Sequence, residues 1–157
     1  MSEVIVVGVG NLLLMDEGVG CWIARRLKKR VLPENVEIEE AGTASFDTLL
    51  VKKHIKKLII VDAVRGGGKP GTVYKIKLSN LPFKDFPLSL HQFTIIDSLN
   101  ILRSSGRSIN DVVVIGIEPA KIEWGLGLSE DVSKKIFKAI DMVLEEVEDA
   151  CNRDETN

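Results

Sequence analysis

Residues 4–20, VIVVGVGNLLLMDEGVG, decide the fold because they join a β-branched apolar run to a glycine-rich turn and the start of a helix. The run VIVVGV is typical of a strand that is buried on both faces of a parallel sheet. A helical spacing of apolar side chains then covers residues 17–30. The stretch therefore predicts the first strand–turn–helix unit of an α/β fold. It also places two acids, Asp16 and Glu17, in a turn made almost entirely of glycine and apolar residues.

The same alternation of strand and helix continues along the chain. Strand-like runs lie at 36–41, 57–64 and 111–118, and helix-like patterns lie at 46–56, 92–104 and 130–149. A further run, 71–77, follows its neighbour too closely for a helical crossover and should pair antiparallel. We predict a single-domain three-layer α/β sandwich over residues 1–150, with a mostly parallel five-stranded sheet, one antiparallel strand and helices on both faces. Residues 151–157 form a polar C-terminal tail.

Composition excludes several classes of partner. The net charge is −2, and acids and bases are mixed along the chain, so there is no basic face for nucleic acid and no polybasic patch for a membrane. The first apolar run is too short for a spanning helix and lacks the features of a signal peptide. Two cysteines, Cys21 and Cys151, lie far apart, which is typical of a reducing compartment. We expect a cytoplasmic monomer that binds neither nucleic acid nor membrane.

Several acids should meet at one edge of the sheet. In an open α/β sheet the functional crevice lies beyond the carboxyl ends of the parallel strands. The loop after the first strand carries Asp16 and Glu17, the third predicted strand ends near Asp62, and the last strand ends at Glu118. His91 precedes the helix that leads down to the last strand, so it belongs to the same edge. The topology therefore predicts a cluster of acids beside a histidine.

Each of these side chains also has a structural interpretation. Asp16 precedes a predicted helix and would commonly be its N-cap, and Glu17 would be a favourable charge in the first turn. His91 would be a helix cap or a packed side chain. Asp62 is harder to explain, because an unpaired carboxylate in a buried run is energetically costly or has a shifted pKa. As ligands, Glu, Asp and His form a nitrogen and oxygen set suited to divalent Ni, Zn, Co, Mn or Fe.

Other catalytic motifs are missing from the sequence. There is no H-E-x-x-H, no G-x-S-x-G and no Walker loop. The dinucleotide-binding fingerprint fails at Leu13, where a third glycine is required. Cys21 is interpreted as a small buried helix residue rather than as a nucleophile paired with His91.

The ordered motifs GVGNLLLMDEGVG, LIIVDAV, LSLHQF, VIGIEP and WGLGLS resemble the hydrogenase maturation protease family. These endopeptidases trim the C-terminal extension from the large-subunit precursor of NiFe-hydrogenases. The resemblance covers about residues 4–147. It implies that Glu17, Asp62 and His91 contact a metal, and that the metal is nickel supplied by the precursor, with Cd or Zn as substitutes in vitro.

The resemblance leaves the mechanism open. If the enzyme is of the aspartic type, Asp16 and Asp62 share a proton and activate water. If the metal polarises the scissile carbonyl or a water instead, Asp16 only shapes and caps the turn. The residues expected to contact the substrate are Gly10, Asn11, Gly42, Thr43 and Trp124.

Two functions of other classes would use the same features. A nickel metallochaperone would hold the metal with the same three side chains and would not cleave a peptide. A non-catalytic α/β interaction module would use its acids only as helix caps and would bind no metal.

Overall fold

The computed structural model describes residues 3–42, 54–78, 99–101, 104–106 and 108–153. Its strands are β1 (Glu3–Val9), β2 (Val36–Gly42), β3 (His54–Ala63), β4 (Val73–Lys77) and β5 (Ser108–Ile117). They form one sheet in the order β2-β1-β3-β5-β4. The pairs β1–β2, β1–β3 and β3–β5 are parallel, and β4 pairs antiparallel with β5. The predicted mostly parallel sheet with one antiparallel strand is confirmed.

Helices cover the sheet. They are α1 (Val19–Leu27), α2 (Glu130–Ser133) and α3 (Ile136–Asn152), with a 3-10 helix at Met15–Gly18. One face of the sheet packs against α1 and α3 through residues such as Val6, Ile23 and Val143. The other face carries a second cluster that includes Ile60 and Leu99, and residues 99–101 are helical. No helix within the described residues is long and apolar enough to cross a membrane.

The boundaries of some elements differ from the prediction. The helix predicted over 46–56 is wrong at its end, because β3 already begins at His54 and pairs with β5 there; residues 46–53 lie outside the described residues. The helix predicted over 130–149 is divided into α2 and α3, and α3 continues to Asn152, so the predicted polar tail begins as helix. The first predicted helix begins as the 3-10 helix before α1.

Glycines let α1 start directly on the sheet. A Cβ atom on Gly20 would lie 2.1 Å from the carbonyl oxygen of Val61 in β3 and 2.4 Å from that of Val9 in β1. A Cβ atom on Gly8 would lie 2.2 Å from the carbonyl oxygen of Gly20. Since real Cβ atoms do not come this close to backbone atoms, only glycine permits the contact at these two positions. The glycine pattern of residues 8–20 thus brings the loop that carries the two acids against the ends of the central strands.

Candidate active site

The loop after β1 is held by the loop that follows β5. Met15 donates its backbone N–H to the carbonyl of Gly125, and Gly125 donates to the carbonyl of Leu13. The backbone N–H of Asp16 reaches the carbonyl of Lys121. Met15 itself has a φ of 50°, an uncommon left-handed conformation for a residue with a side chain. The two loops therefore form one unit at the carboxyl edge of the sheet.

Asp16 anchors this unit and caps no helix. Its carboxylate is fully buried and accepts four hydrogen bonds. Oδ2 accepts from the backbone N–H groups of Ala120 (2.9 Å) and Lys121 (2.8 Å) and from the Ser129 hydroxyl (2.7 Å), while Oδ1 accepts from the Ser129 N–H (2.7 Å). The N-cap of α1 is Gly18, without a side-chain cap. The predicted capping role of Asp16 is wrong, because its bonding partners lie in the distant loop.

Asp62 lies beside Glu17 in an environment that disfavours its charge. It is 1% exposed near the end of β3, and its Oδ1 accepts the N–H of Ala63 at 2.8 Å. Its Oδ2 is buried and accepts no hydrogen bond from the described residues. Burial raises the pKa of Asp62 well above the ordinary value; the Ala63 N–H opposes this rise and the Glu17 charge adds to it. Of the predicted site residues within the described ranges, Glu17 and Asp62 are the acids brought together.

Glu118, the fourth acid expected at this edge, stabilises the fold. Its Oε2 accepts the N–H of Gly66 at 2.7 Å and the hydroxyl of Tyr74 at 2.8 Å. Its backbone N–H donates to the carbonyl of Thr72, and its carbonyl accepts from Gly71. These bonds tie the loop between β3 and β4 to the end of β5, so this carboxylate is occupied by structural hydrogen bonds.

The remaining predicted site residues have mixed outcomes. His91 and Thr43 lie outside the described residues, and Gly42 is described only as the last residue of β2. Asn11 uses its side-chain oxygen within the turn, accepting the N–H of Leu13 at 2.9 Å. Gly10 has a φ of 138°, and a Cβ atom there would lie 1.9 Å from the carbonyl oxygen of Glu17, so its absent side chain gives Glu17 its position.

Trp124 is the exposed member of the predicted set. Its side chain is 79% exposed, and neighbouring Leu126 is 78% exposed. Leu13, joined to Gly125 by a backbone hydrogen bond, is 52% exposed. These three side chains form an apolar rim on the two joined loops. An exposed apolar cluster of this kind on a loop is typical of an interaction site.

The described residues hold two of the three expected metal ligands. No three His, Cys, Asp or Glu side chains within these ranges come together as a metal site. Glu17 and Asp62 supply the carboxylates, and the predicted third ligand, His91, is not among the described residues. The donor chemistry of the pair fits a divalent ion, since the buried Asp62 Oδ2 atom accepts no hydrogen bond from the described part of the chain.

Cys21 lies in the core and its burial confirms the prediction. It is 1% exposed, and its thiol lies 3.4 Å from the carbonyl oxygen of Gly10 and 3.8 Å from that of Gly8. Two carbonyl oxygens disfavour a thiolate, so the environment is unlike that of a reactive cysteine.

Ser129 is a site residue that was not predicted from the sequence. This residue bonds Asp16 through both its N–H and its hydroxyl, and its Oγ accepts the N–H of Val132 at the start of α2. The available signal was a serine followed by two acids, Glu130 and Asp131, which is typical of a helix N-terminus. That pattern predicts the cap but does not indicate the bond to Asp16.

Comparison with known proteins identifies the family of this chain. The HycI family model, described as hydrogenase maturation protease, matches residues 21–146. The chain belongs to the hydrogenase maturation protease family. It is therefore a peptidase, and neither the metallochaperone nor the non-catalytic module describes its class.

Individual members of the family align along most of their length. The hydrogenase 2 maturation protease of Escherichia coli is 35% identical over 146 residues, which cover 90% of this chain and 88% of that protein. A Methanocaldococcus jannaschii protein named as a hydrogenase maturation protease is 38% identical over 152 residues, covering 93% and 97%. The solved structure of the hydrogenase maturating endopeptidase HybD from E. coli superimposes with a TM-score of 0.85 at 33% identity, covering 94% of this chain and 93% of that one.

Proposed function

We propose that this protease removes the C-terminal extension from a nickel-loaded large-subunit precursor of a NiFe-hydrogenase. Family membership supplies the reaction class and the kind of substrate. The nickel requirement rests on one observation, the buried carboxyl of Asp62 beside Glu17. A buried carboxylate without a cationic partner is unfavourable by itself but is suited to binding a metal. A divalent ion would supply the positive charge that its surroundings lack.

The nickel in this proposal is part of the substrate. Glu17 and Asp62 would contact it from the loop after β1 and from the end of β3, and His91 would complete the set. Asp62 continues the face of β3 that carries Leu58 and Ile60, because alternate residues of a strand share a face. Leu99, from the helix predicted to follow His91, packs in the same cluster, which supports placing His91 on the side of Asp62.

Recognition of a metal before cleavage has a physical advantage. Two like-charged carboxylates gain nothing from being close together, whereas a cation between them fixes the substrate that carries it. When bound, the ion would also polarise a carbonyl or a water. The protease would then act only on precursors whose nickel site has been filled.

The hydrogen bonds of Asp16 favour this mechanism over a pair of aspartates. An aspartic dyad needs two carboxyls that share one proton. Asp16 already accepts four hydrogen bonds, all from residues 120–129, which leaves its oxygens committed to that loop. The assignment of Asp16 as a catalytic residue therefore has less support than its assignment as the anchor of the loop.

The apolar rim of Leu13, Trp124 and Leu126 is proposed to hold the chain on either side of the scissile bond. It lies on the same joined loops as Glu17, and large exposed side chains of this type commonly anchor a partner. Backbone N–H groups near Gly10 and Asn11 would face a developing oxyanion. Gly42 and Thr43 remain proposed contacts at the end of β2.

The test is cleavage of purified precursor, followed by intact mass. We expect the wild-type chain to shorten nickel-loaded precursor and to leave nickel-free precursor at full length. Equal cleavage of both forms would contradict the nickel requirement but keep the peptidase activity. A shortened product from neither form would contradict the choice of substrate.

Two variants test the ligand assignment. Glu17→Gln should abolish cleavage while the fold is retained, because a neutral amide is a far poorer ligand than a carboxylate. Glu123→Gln provides the matched control, since Glu123 is an exposed carboxylate on the neighbouring loop. Calorimetry with Ni, Zn or Cd should show weak binding at one site that is lost in Glu17→Gln and retained in Glu123→Gln. Full cleavage by a folded Glu17→Gln variant would refute the assignment.

A further inference from the structure

The end of α1 carries a concentration of positive charge that the proposed active site does not use. Residues 24–30 read ARRLKKR, with five cations in six positions, although the net charge of the chain is −2. The expectation that acids and bases are mixed along the chain without a basic patch is therefore wrong at the end of α1. All five side chains are exposed. Cations near a helix C-terminus stabilise the helix through its dipole. This effect falls off within the last turn and does not account for a cluster of five cations.

These cations line a groove with an aromatic floor. The groove has a volume of about 770 Å³ between the end of α1 and the start of α3, and Trp22 and Phe137 form its apolar surface. The Arg25 guanidinium lies 5.9 Å from the centre of the Trp22 ring, and that of Arg26 lies 5.6 Å from the Phe137 ring. Phe137 is 61% exposed although it lies at the start of a packed helix.

The groove is short of negative charge. Among the described residues, the carboxylate that pairs with this cluster is Glu40, which bonds Arg25 at 2.9 Å. Lys28, Lys29 and Arg30 make no ion pair with any carboxylate in the described part of the chain. The indole N–H of Trp22 is shielded from solvent and has no acceptor within the same ranges. The groove therefore offers several cations that carboxylates of the described residues do not neutralise.

The groove also reaches toward the proposed active site. A smaller cavity shares Trp22, Arg26 and Phe137 with it and continues to Gly127 and Leu128. Those two residues directly follow the apolar rim residue Leu126. One protein surface could thus contact the rim and the basic groove together.

We infer that this basic–aromatic groove binds an acidic segment of the same precursor protein, outside the extension that is cleaved. The inference rests on the proposed function for the identity of the partner. The cations attract carboxylate side chains and speed association, while Trp22 and Phe137 contact the apolar residues among them. The groove acts as a second attachment point that raises the affinity for the folded precursor and leaves the chemical step unchanged.

The experiment compares two double charge reversals on nickel-loaded precursor. Lys29→Glu with Arg30→Glu changes the groove, and Lys77→Glu with Lys138→Glu makes the same change of net charge at exposed residues that do not line it. We expect the groove variant to raise KM by about five- to thirtyfold with unchanged kcat, since each reversal replaces a surface attraction with a repulsion. The control pair should alter KM by less than about twofold.

Two further measurements separate charge from fold. A charge-conserving pair, Lys29→Arg with Arg30→Lys, should keep the wild-type KM, and melting curves should show that all variants are folded. Rising salt should raise the KM of the wild-type chain more than that of the groove variant. Equal KM values for the groove and control variants, with wild-type cleavage intact, would overturn this inference alone. Failure of the wild-type chain to cleave the precursor would overturn the proposed function and the choice of partner with it.

Discussion

Replacing Asp62 with asparagine is expected to stabilise the folded chain at neutral pH although it removes a proposed ligand. The carboxyl group is 1% exposed and its Oδ2 accepts no hydrogen bond from the described residues. Burial, reinforced by the Glu17 charge and opposed by the Ala63 N–H, raises the pKa of Asp62 well above the ordinary value of 3.8. The folded chain therefore keeps this proton to a higher pH than the unfolded chain does.

The sign and size of the effect follow from this difference. Well below pH 3.8 both states are protonated, and the contribution of the group to stability is fully present. As the pH rises from there to the folded-state pKa, the folded chain binds more protons, and wild-type stability falls by about 1.4 kcal/mol per pH unit. The amide variant has no such loss. We expect it to be more stable than the wild-type chain by about 1–3 kcal/mol near pH 8, after the cost of the buried amide is subtracted.

Urea unfolding at about pH 4 and about pH 8 measures the difference. The gain near pH 8 corresponds to a rise in Tm of about 2–4 °C per kcal/mol. Asp141→Asn is the matched control, because Asp141 is an exposed acid on α3. A variant that is less stable than the wild-type chain at pH 8, or a stability difference that is the same at both pH values, would refute the reasoning. Either result would mean that interactions in the folded state already offset the cost of burying the charged Asp62 carboxylate.

Four further substitutions test other parts of the structure. Asp16→Asn should lower the free energy of unfolding, measured by urea titration, by about 2–4 kcal/mol, because an amide nitrogen would face N–H groups that now donate to the carboxylate. Ser129→Ala should lower it by about 1–2 kcal/mol, because it removes the hydroxyl that donates to Asp16. Burial acts to raise the pKa of Glu146, but hydrogen bonds from Lys57 and Lys75 outweigh it and lower the pKa. The wild-type chain should therefore lose stability as the pH falls below about 4.5, whereas Glu146→Gln should be less stable at neutral pH and lack this loss. Cys21→Ala should remain folded and cleave precursor at nearly the wild-type rate.

Each of these outcomes has a clear opposite. Wild-type stability in Asp16→Asn would return this residue to the role of a simple cap, for which asparagine is as good as aspartate. A Glu146→Gln variant with the wild-type pH profile would mean that its carboxylate is not held by the lysines. Loss of cleavage in a folded Cys21→Ala variant would assign chemistry to the thiol.

The sequence and the structure agree where the signal is local. The apolar β-branched runs of β1, β3 and β5 predict buried parallel strands, because strands covered on both faces have few polar positions. The glycines of residues 8–20 predict a tight turn, and their close contacts with β1 and β3 explain the spacing. The short loop before β4 predicts antiparallel pairing, because a loop of so few residues cannot form the crossover that a parallel pair requires.

The start of β3 was not predictable in this way. His54 and Lys56 are typical of the solvated face of a helix and were predicted as the end of the helix over 46–56, with Lys57 as the first residue of the following strand. In the structure a register shift accompanies the start of the β1–β3 pairing, and Lys57 is 2% exposed against Glu146 of α3. The carboxylate that makes a buried lysine tolerable is 89 residues away along the chain.

Asp16 and Glu17 show the same difference between what the local sequence predicts and what distant contacts determine. The sequence predicts that Asp16 and Glu17 follow the first strand and that Asp62 lies near the end of the third, and the predicted topology gathers them at one edge. It did not distinguish their roles, because aspartate before a helix has the same local pattern whether it caps that helix or bonds elsewhere. Their roles differ only in the folded chain, where Asp16 bonds residues 120–129 and Glu17 lies beside Asp62. A buried carboxylate takes its role from the donors and charges around it, and apart from the N–H of Ala63 these come from parts of the chain more than 40 residues away.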